Sequence, residues 1–192
     1  MFLNIQQKKG FTLIEIMVAV SLFAVVMTIS VGSLLSLIDA NRKAQALNSV
    51  INNLNFALEN MSRNIRVGNT FHCTDTTTVP ANIDIPQDCA NGGVLFAFES
   101  NSGDISDSTD QVVYRFINSR IEKSINGGAT FIPITASEVT INDMRFYTVG
   151  SARGDALQPR VVMTITGTAG VNAKASTDFS LQTTISQRVL DL

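Results

Sequence analysis

The sequence predicts an α+β fold: a long N-terminal α-helix, with a transmembrane half and an amphipathic half, packed on a mostly antiparallel β-sheet. Three observations point there. A strongly apolar run without a charged residue extends from Ile16 to Ile38. Apolar residues then recur at helical spacing as far as Ile65. Beyond Gly93, short strand-like runs follow one another with turns between them and no room for crossover helices.

The first run sets the N-terminal assignment. A helix over Ile16 to Ile38 covers roughly 35 Å, enough for a bilayer core of about 30 Å. A secretory signal peptide would have a shorter apolar core with its small-residue cleavage site behind it, whereas here Gly10 lies ahead of the run. A plain signal anchor is the second rival. Lys8 and Lys9 precede the span, which places the N-terminus in the cytoplasm and everything after about Asn41 outside it. Arg42 and Lys43 weaken that asymmetry, but Asp39 is nearer to the span. The formal net charge is -2, so no basic field invites nucleic acid.

The helix does not stop at Ile38. Leu47, Val50, Ile51, Leu54, Leu58, Met61 and Ile65 form one apolar stripe, while Asn41, Arg42, Gln45, Asn48, Asn52, Asn55, Asn60 and Arg63 fill the other faces. The first proline is Pro80, so one helix over 11–66 is expected, stopped by Gly68 with Asn69. Gly32 loosens its middle by about 1 kcal/mol relative to alanine. The many asparagines favour a helix lying on a sheet over a coiled-coil stalk.

From Val67 to Gly93 the composition turns to Thr, Asn, Asp, Pro and Gly, which reads as a loop. It holds the two cysteines, Cys73 and Cys89. In an exported domain these are expected to pair, worth about 3 kcal/mol for so short a closed loop. His72 beside Cys73 has too few companions for a structural zinc site, and neighbours on an extended loop point apart, so it reads as a surface loop histidine. Strands are expected over 94–98, 111–117, 120–125, 130–134, 139–149, 160–166 and 179–185, with Asn126-Gly127-Gly128 as a hairpin signal. Gly103 to Asp110 carries Asp104, Asp107 and Asp110, a weak calcium candidate by ligand type. Their spacing is not that of an EF-hand, and a solvated turn explains them as well. No Gly-rich phosphate loop, Ser/His/Asp set or metal cluster supports an enzyme, and no cofactor is expected.

Glu15 is the anomaly. A carboxylate at the edge of a hydrocarbon-soluble run costs a few kcal/mol unless it snorkels to water or finds a partner. Cutting between Gly10 and Phe11 would remove both leader lysines and leave a free amine on Phe11, four residues from that carboxylate. In one helix the amine points away along the axis. In a stack of staggered identical helices, the amine of one chain can meet the carboxylate of the next, so the charge is satisfied in the array and penalised outside it.

The stretch KKGFTLIEIMVAV resembles the cleavage and methylation signature of type IV pilins and type II secretion pseudopilins. The resemblance implies that Gly10 is the small residue required by the prepilin peptidase. It implies that Phe11 is the N-methylated first residue of the mature chain, and that Glu15 is the acidic residue at the fifth mature position that serves recruitment and register. Thr12, Leu13 and Ile14 match the motif. It further implies four segments: a leader peptide over 1–10, a transmembrane segment over 11–38, an amphipathic helix half over 39–66, and an extracytoplasmic β-rich domain over 67–192. Partners would be other pseudopilins or pilins through the N-terminal helix, the prepilin peptidase and an inner-membrane assembly platform.

Segments further along resemble J-type minor pseudopilins and similar minor pilins: Val113-Tyr114-Arg115-Phe116, Ile132-Pro133-Ile134-Thr135, Met144-Arg145-Phe146-Tyr147, Pro159-Arg160-Val161-Val162 and Phe179 to Arg188. Glu15 argues against the K-type, which lacks the acid. Gly32 stands where major pilins commonly carry proline. The resemblance therefore implies a structural subunit of a type II secretion pseudopilus, with a minor pilin of a type IV pilus as the alternative, anchored in the inner membrane and then part of an envelope filament.

Overall fold

The computed structural model describes residues 10–137, 139–155, 157–169 and 176–188. Lys8 and Lys9, on which the orientation argument leans, lie outside the described residues. The chain divides into two units, Met1–Arg42 and Lys43–Leu192. Among the described residues, helix α1 (Leu13–Val67) and eight strands make an α+β fold.

In the second unit, α1 buries Val50, Leu54, Ala57, Met61 and Ile65. Those steps of three and four residues trace one face of a helix. Two of its asparagines tie it to later segments of the chain. Asn64 donates to the Tyr114 hydroxyl at 3.2 Å, and the Ala136 amide donates to Asn53 Oδ1 at 3.1 Å. Gly68 ends the helix: its amide donates to the Asn64 carbonyl at 3.0 Å. A side chain at Gly68 would collide with the Phe98 ring, so glycine is needed here for close approach.

Five strands form the first sheet in the order β1-β2-β3-β4-β5: β1 (Asn69–Thr74), β2 (Leu95–Glu99), β3 (Val112–Ile117), β4 (Arg120–Ser124) and β5 (Ile132–Pro133). The other three, β6 (Val139–Val149), β7 (Arg160–Ala169) and β8 (Thr177–Ser186), form a second antiparallel sheet in sequence order. The expected single sheet is thus two. They meet where Gly93 and Phe146 exchange two backbone hydrogen bonds of 2.8 Å.

One core holds the buried face of α1 and the inner faces of both sheets. Phe71, Phe96, Phe98, Tyr114, Ile121, Met144, Phe146, Met163 and Ile185 all belong to it. Phe96 is its hub, 5.3 Å from the Phe71 ring and 5.4 Å from the Phe146 ring between centroids. The opposite face of the first sheet is also covered: Ile83 packs on Leu95, Ala97 and Val113, with Val79 and Phe131 alongside. This double cover explains why every residue of β2 is buried rather than every second one.

The segment 67–93 is not wholly a loop, because β1 lies inside it. Phe71 and Cys73 supply apolar side chains to the core, and Gln87 pairs along the outer side of β1 through the Cys73 amide and the Phe71 carbonyl. Within that strand Thr70 adopts φ 55° beside a register shift, a strained conformation for a β-branched residue. Asn118 and Ser119 both take positive φ in the two-residue β3–β4 hairpin turn, whose backbone twist matches the flanking strands.

Candidate functional sites

In the N-terminal unit, Thr12 opens α1. Its carbonyl accepts from the Ile16 amide at 3.2 Å, and its hydroxyl lies 3.4 Å from the Glu15 amide. Glu15 therefore sits in the first turn, where the helix macrodipole favours a carboxylate. Phe11 and Leu13 are each 78% exposed, and apolar side chains remain exposed through Ile38. Three of the hydroxyls in this stretch satisfy their protons on the helix backbone. The Ser21, Thr28 and Ser30 hydroxyls donate 2.8 Å bonds to the carbonyls of Met17, Ala24 and Val26. The helix is long and apolar enough to cross a membrane, with a mean hydropathy of 2.4 over its most apolar window. The carboxylate of Glu15 is the feature of this surface that a lipid phase does not explain.

Residues 5–31 match the family model for the prokaryotic N-terminal methylation motif. The methylation-motif segment is of the type IV pilin and pseudopilin kind, and it implies prepilin peptidase processing and pilin-type assembly. The apolar helix that follows the motif fits inner-membrane anchoring. No curated protein and no solved structure matches the chain.

In the second unit, Cys73 and Cys89 form a disulfide with their Cα atoms 5.6 Å apart. It pins the covering segment to β1, and the Cys89 amide adds a 3.2 Å bond to the Thr148 carbonyl. His72 is not a surface loop residue. It lies in β1, is 1% exposed, and its Nδ1 is 2.8 Å from the Ile85 carbonyl oxygen. The chain segment at 82–87 folds back over it, which the composition of that stretch did not reveal.

The three aspartates do not converge. Asp104 Oδ1 accepts from the amide and hydroxyl of Ser106, and Asp107 Oδ1 accepts from those of Thr109. These local turns hold both carboxyls below the usual carboxylate range. Among the described residues, no group of three or more His, Cys, Asp or Glu could hold a metal ion. Asp110 is different: its Oδ2 accepts from the Asp104 amide at 2.9 Å, while Oδ1 is buried without a partner.

Asp110 has a companion that was not singled out in the sequence. Glu99, the last residue of β2, is fully buried, and neither carboxylate oxygen makes a hydrogen bond of good geometry. Continuing the β2–β3 register from the Phe98–Val112 pair puts Gln111 across from Glu99, and Gln111 is also fully buried with both amide atoms unpartnered. Burial, and next the charge of Asp110, push the Glu99 carboxyl up to about 7.

Proposed function

We propose that the chain is a minor pseudopilin-like structural subunit of a type II secretion pseudopilus. It is cut between Gly10 and Phe11, N-methylated on Phe11, and assembled through its N-terminal helix to support protein export. The observation that carries the reading is Glu15, held in the first turn of an exposed apolar helix four residues from Phe11, within the methylation motif. In the membrane that carboxylate is a liability. In a staggered array it neutralises the amine of a neighbour's Phe11. The β-rich domain over 67–192 then lies outside the cytoplasm, a compartment that suits the Cys73–Cys89 bond. The finer assignment to the J-type rests on the resemblance of the strand segments and on the presence of Glu15.

The test starts with the intact mass and N-terminal sequence of the membrane-purified chain, made with its prepilin peptidase. N-methyl-Phe11 as the first residue is expected; a chain still beginning at Met1 would sink the reading and restore a plain signal anchor. Glu15→Ala is expected to be cleaved normally yet to be missing from cross-linked complexes. Unchanged complex size in that variant would point to a membrane-anchored domain that never assembles. In a deletion strain, loss of secretion supports the pseudopilus, whereas loss of twitching or transformation would assign the subunit to a type IV pilus.

A further inference from the structure

The β2–β3 connection, residues 100–111, returns Asp110 and Gln111 to the end of β2, where Glu99 is buried. A methyl group placed on Gly103 would run into both Glu99 Oε1 and Asp110 Oδ2, so the two carboxyl groups converge on one point beneath that glycine. Three of their four oxygens are buried and make no hydrogen bond of good geometry; the Ser100 amide favours the ionised form of Glu99, but burial and the charge of Asp110 outweigh it. Ionising Glu99 here is unfavourable: it is buried away from water, and the charge of Asp110 repels it. The charged groups acting on Glu99 are Asp110 and, more weakly, Asp104, both acidic, so no cation offsets the repulsion. A hard divalent cation takes about six to eight oxygen ligands, more than two carboxyl groups and one carboxamide supply. A proton needs two.

We propose that Glu99 and Asp110 share one proton and act as a pH-sensitive clasp that shuts the base of the 100–111 loop. In the closed state the Glu99 carboxylic acid donates to the Asp110 carboxylate, which also keeps the Asp104 amide on Oδ2. As the pH rises the proton passes to water, two like charges are left face to face, and Asp110 must swing out with its loop. The clasp concerns the β-rich domain and does not depend on cleavage, methylation or assembly. It would give that domain an acid-closed and a neutral-open form of one exposed loop.

The sign follows from the raised carboxyl. Glu99 lies above its unfolded value of 4.5, at about 7, so its stabilisation is fully present below 4.5 and is lost as the pH rises through about 7. Between those limits the closed–open ratio falls by about tenfold per pH unit for one linked proton. The full chain in detergent is followed by hydrogen exchange of the 100–111 peptide, corrected for intrinsic exchange, from about pH 5 to about pH 8, alongside thermal melting. Protection is expected to fall across the window in the wild type and to stay flat in Glu99→Gln, which keeps the size and a donor but cannot ionise. Asp110→Asn is expected to move the midpoint down, which keeps the test decisive should Glu99→Gln misfold. A wild-type loop with no pH dependence in this window overturns the clasp. So does a Glu99→Gln chain with the same dependence as the wild type. Millimolar calcium that restores protection at neutral pH in the wild type but not in Glu99→Gln would also overturn it, and would make the pair a cation site.

Discussion

At the scale of residues, the chain places polar groups where each has a specific partner or a specific cost. Tyr114 shows the first case. Its ring is wholly buried in the core and its hydroxyl meets Asn64 of α1. Burial pushes the phenol from 10.0 up to about 12. Because the folded value is raised, the associated stability is held below about pH 10 and lost as the pH climbs through about 12. Tyr114→Phe is expected to cost about 1 kcal/mol in the melting curve through the lost hydrogen bond. It should also remove the late phenolate absorbance step from an alkaline titration; a titration unaltered by the substitution would contradict this placement. Glu99 shows the second case, and it was partly legible. It ends the apolar run Val94 to Phe98, and antiparallel pairing with the strand beginning near Gln111 was expected, yet the facing of the two depends on an exact register that turn residues alone do not set. Glu15 was legible outright, because a lone carboxylate stands out against an uninterrupted apolar background.

At the scale of elements, periodicity was a good guide wherever one face meets the core and the other meets solvent. The second half of α1 was readable for that reason, and so were most strands of the second sheet. In β6 the core-facing residues change phase, from Val139 and Ile141 to Met144 and Phe146, and the structure has a register shift between Ile141 and Asp143. A break in alternation is the trace a β-bulge leaves in sequence. Strand β1 left no such trace, since its six residues sit among loop-forming neighbours and are held by tertiary contacts. The two halves of α1 should respond differently to truncation. Leu54 is fully buried and Leu37 is 59% exposed. Leu54→Ala is expected to destabilise the β-rich domain by about 2–5 kcal/mol, through lost transfer energy and the cavity left behind. Leu37→Ala is expected to stay within about 0.5 kcal/mol. Denaturant unfolding of both variants in detergent, read by near-ultraviolet circular dichroism, checks the contrast; equal losses would mean that α1 is one energetic unit.

At the scale of the whole molecule, the α+β class followed from composition and spacing, but the division into two sheets did not. The two sheets are joined through the Gly93–Phe146 bridge, and a separate segment covers the second face of the first sheet; both are long-range features without a local signature. The disulfide holds that cover down. Replacing both cysteines by serine is expected to cost about 3 kcal/mol and to uncover Ile83, Leu95, Ala97 and Val113, which thermal melting and dye binding would register together. No drop in melting temperature would mean that the Gln87 pairing alone anchors the cover. The exposed apolar length of α1 has a consequence of its own. Hydrocarbon tails and a bundle of like helices solvate leucine, valine and isoleucine about equally well, so greasy surface provides almost no preference between the bilayer and a filament. A subunit with such a helix is a solute with two nearly equivalent solvents. On the assembly proposed above, the balance between them falls to the Phe11–Glu15 ion pair and to close packing, and the membrane becomes a reservoir from which subunits are drawn and to which they can return.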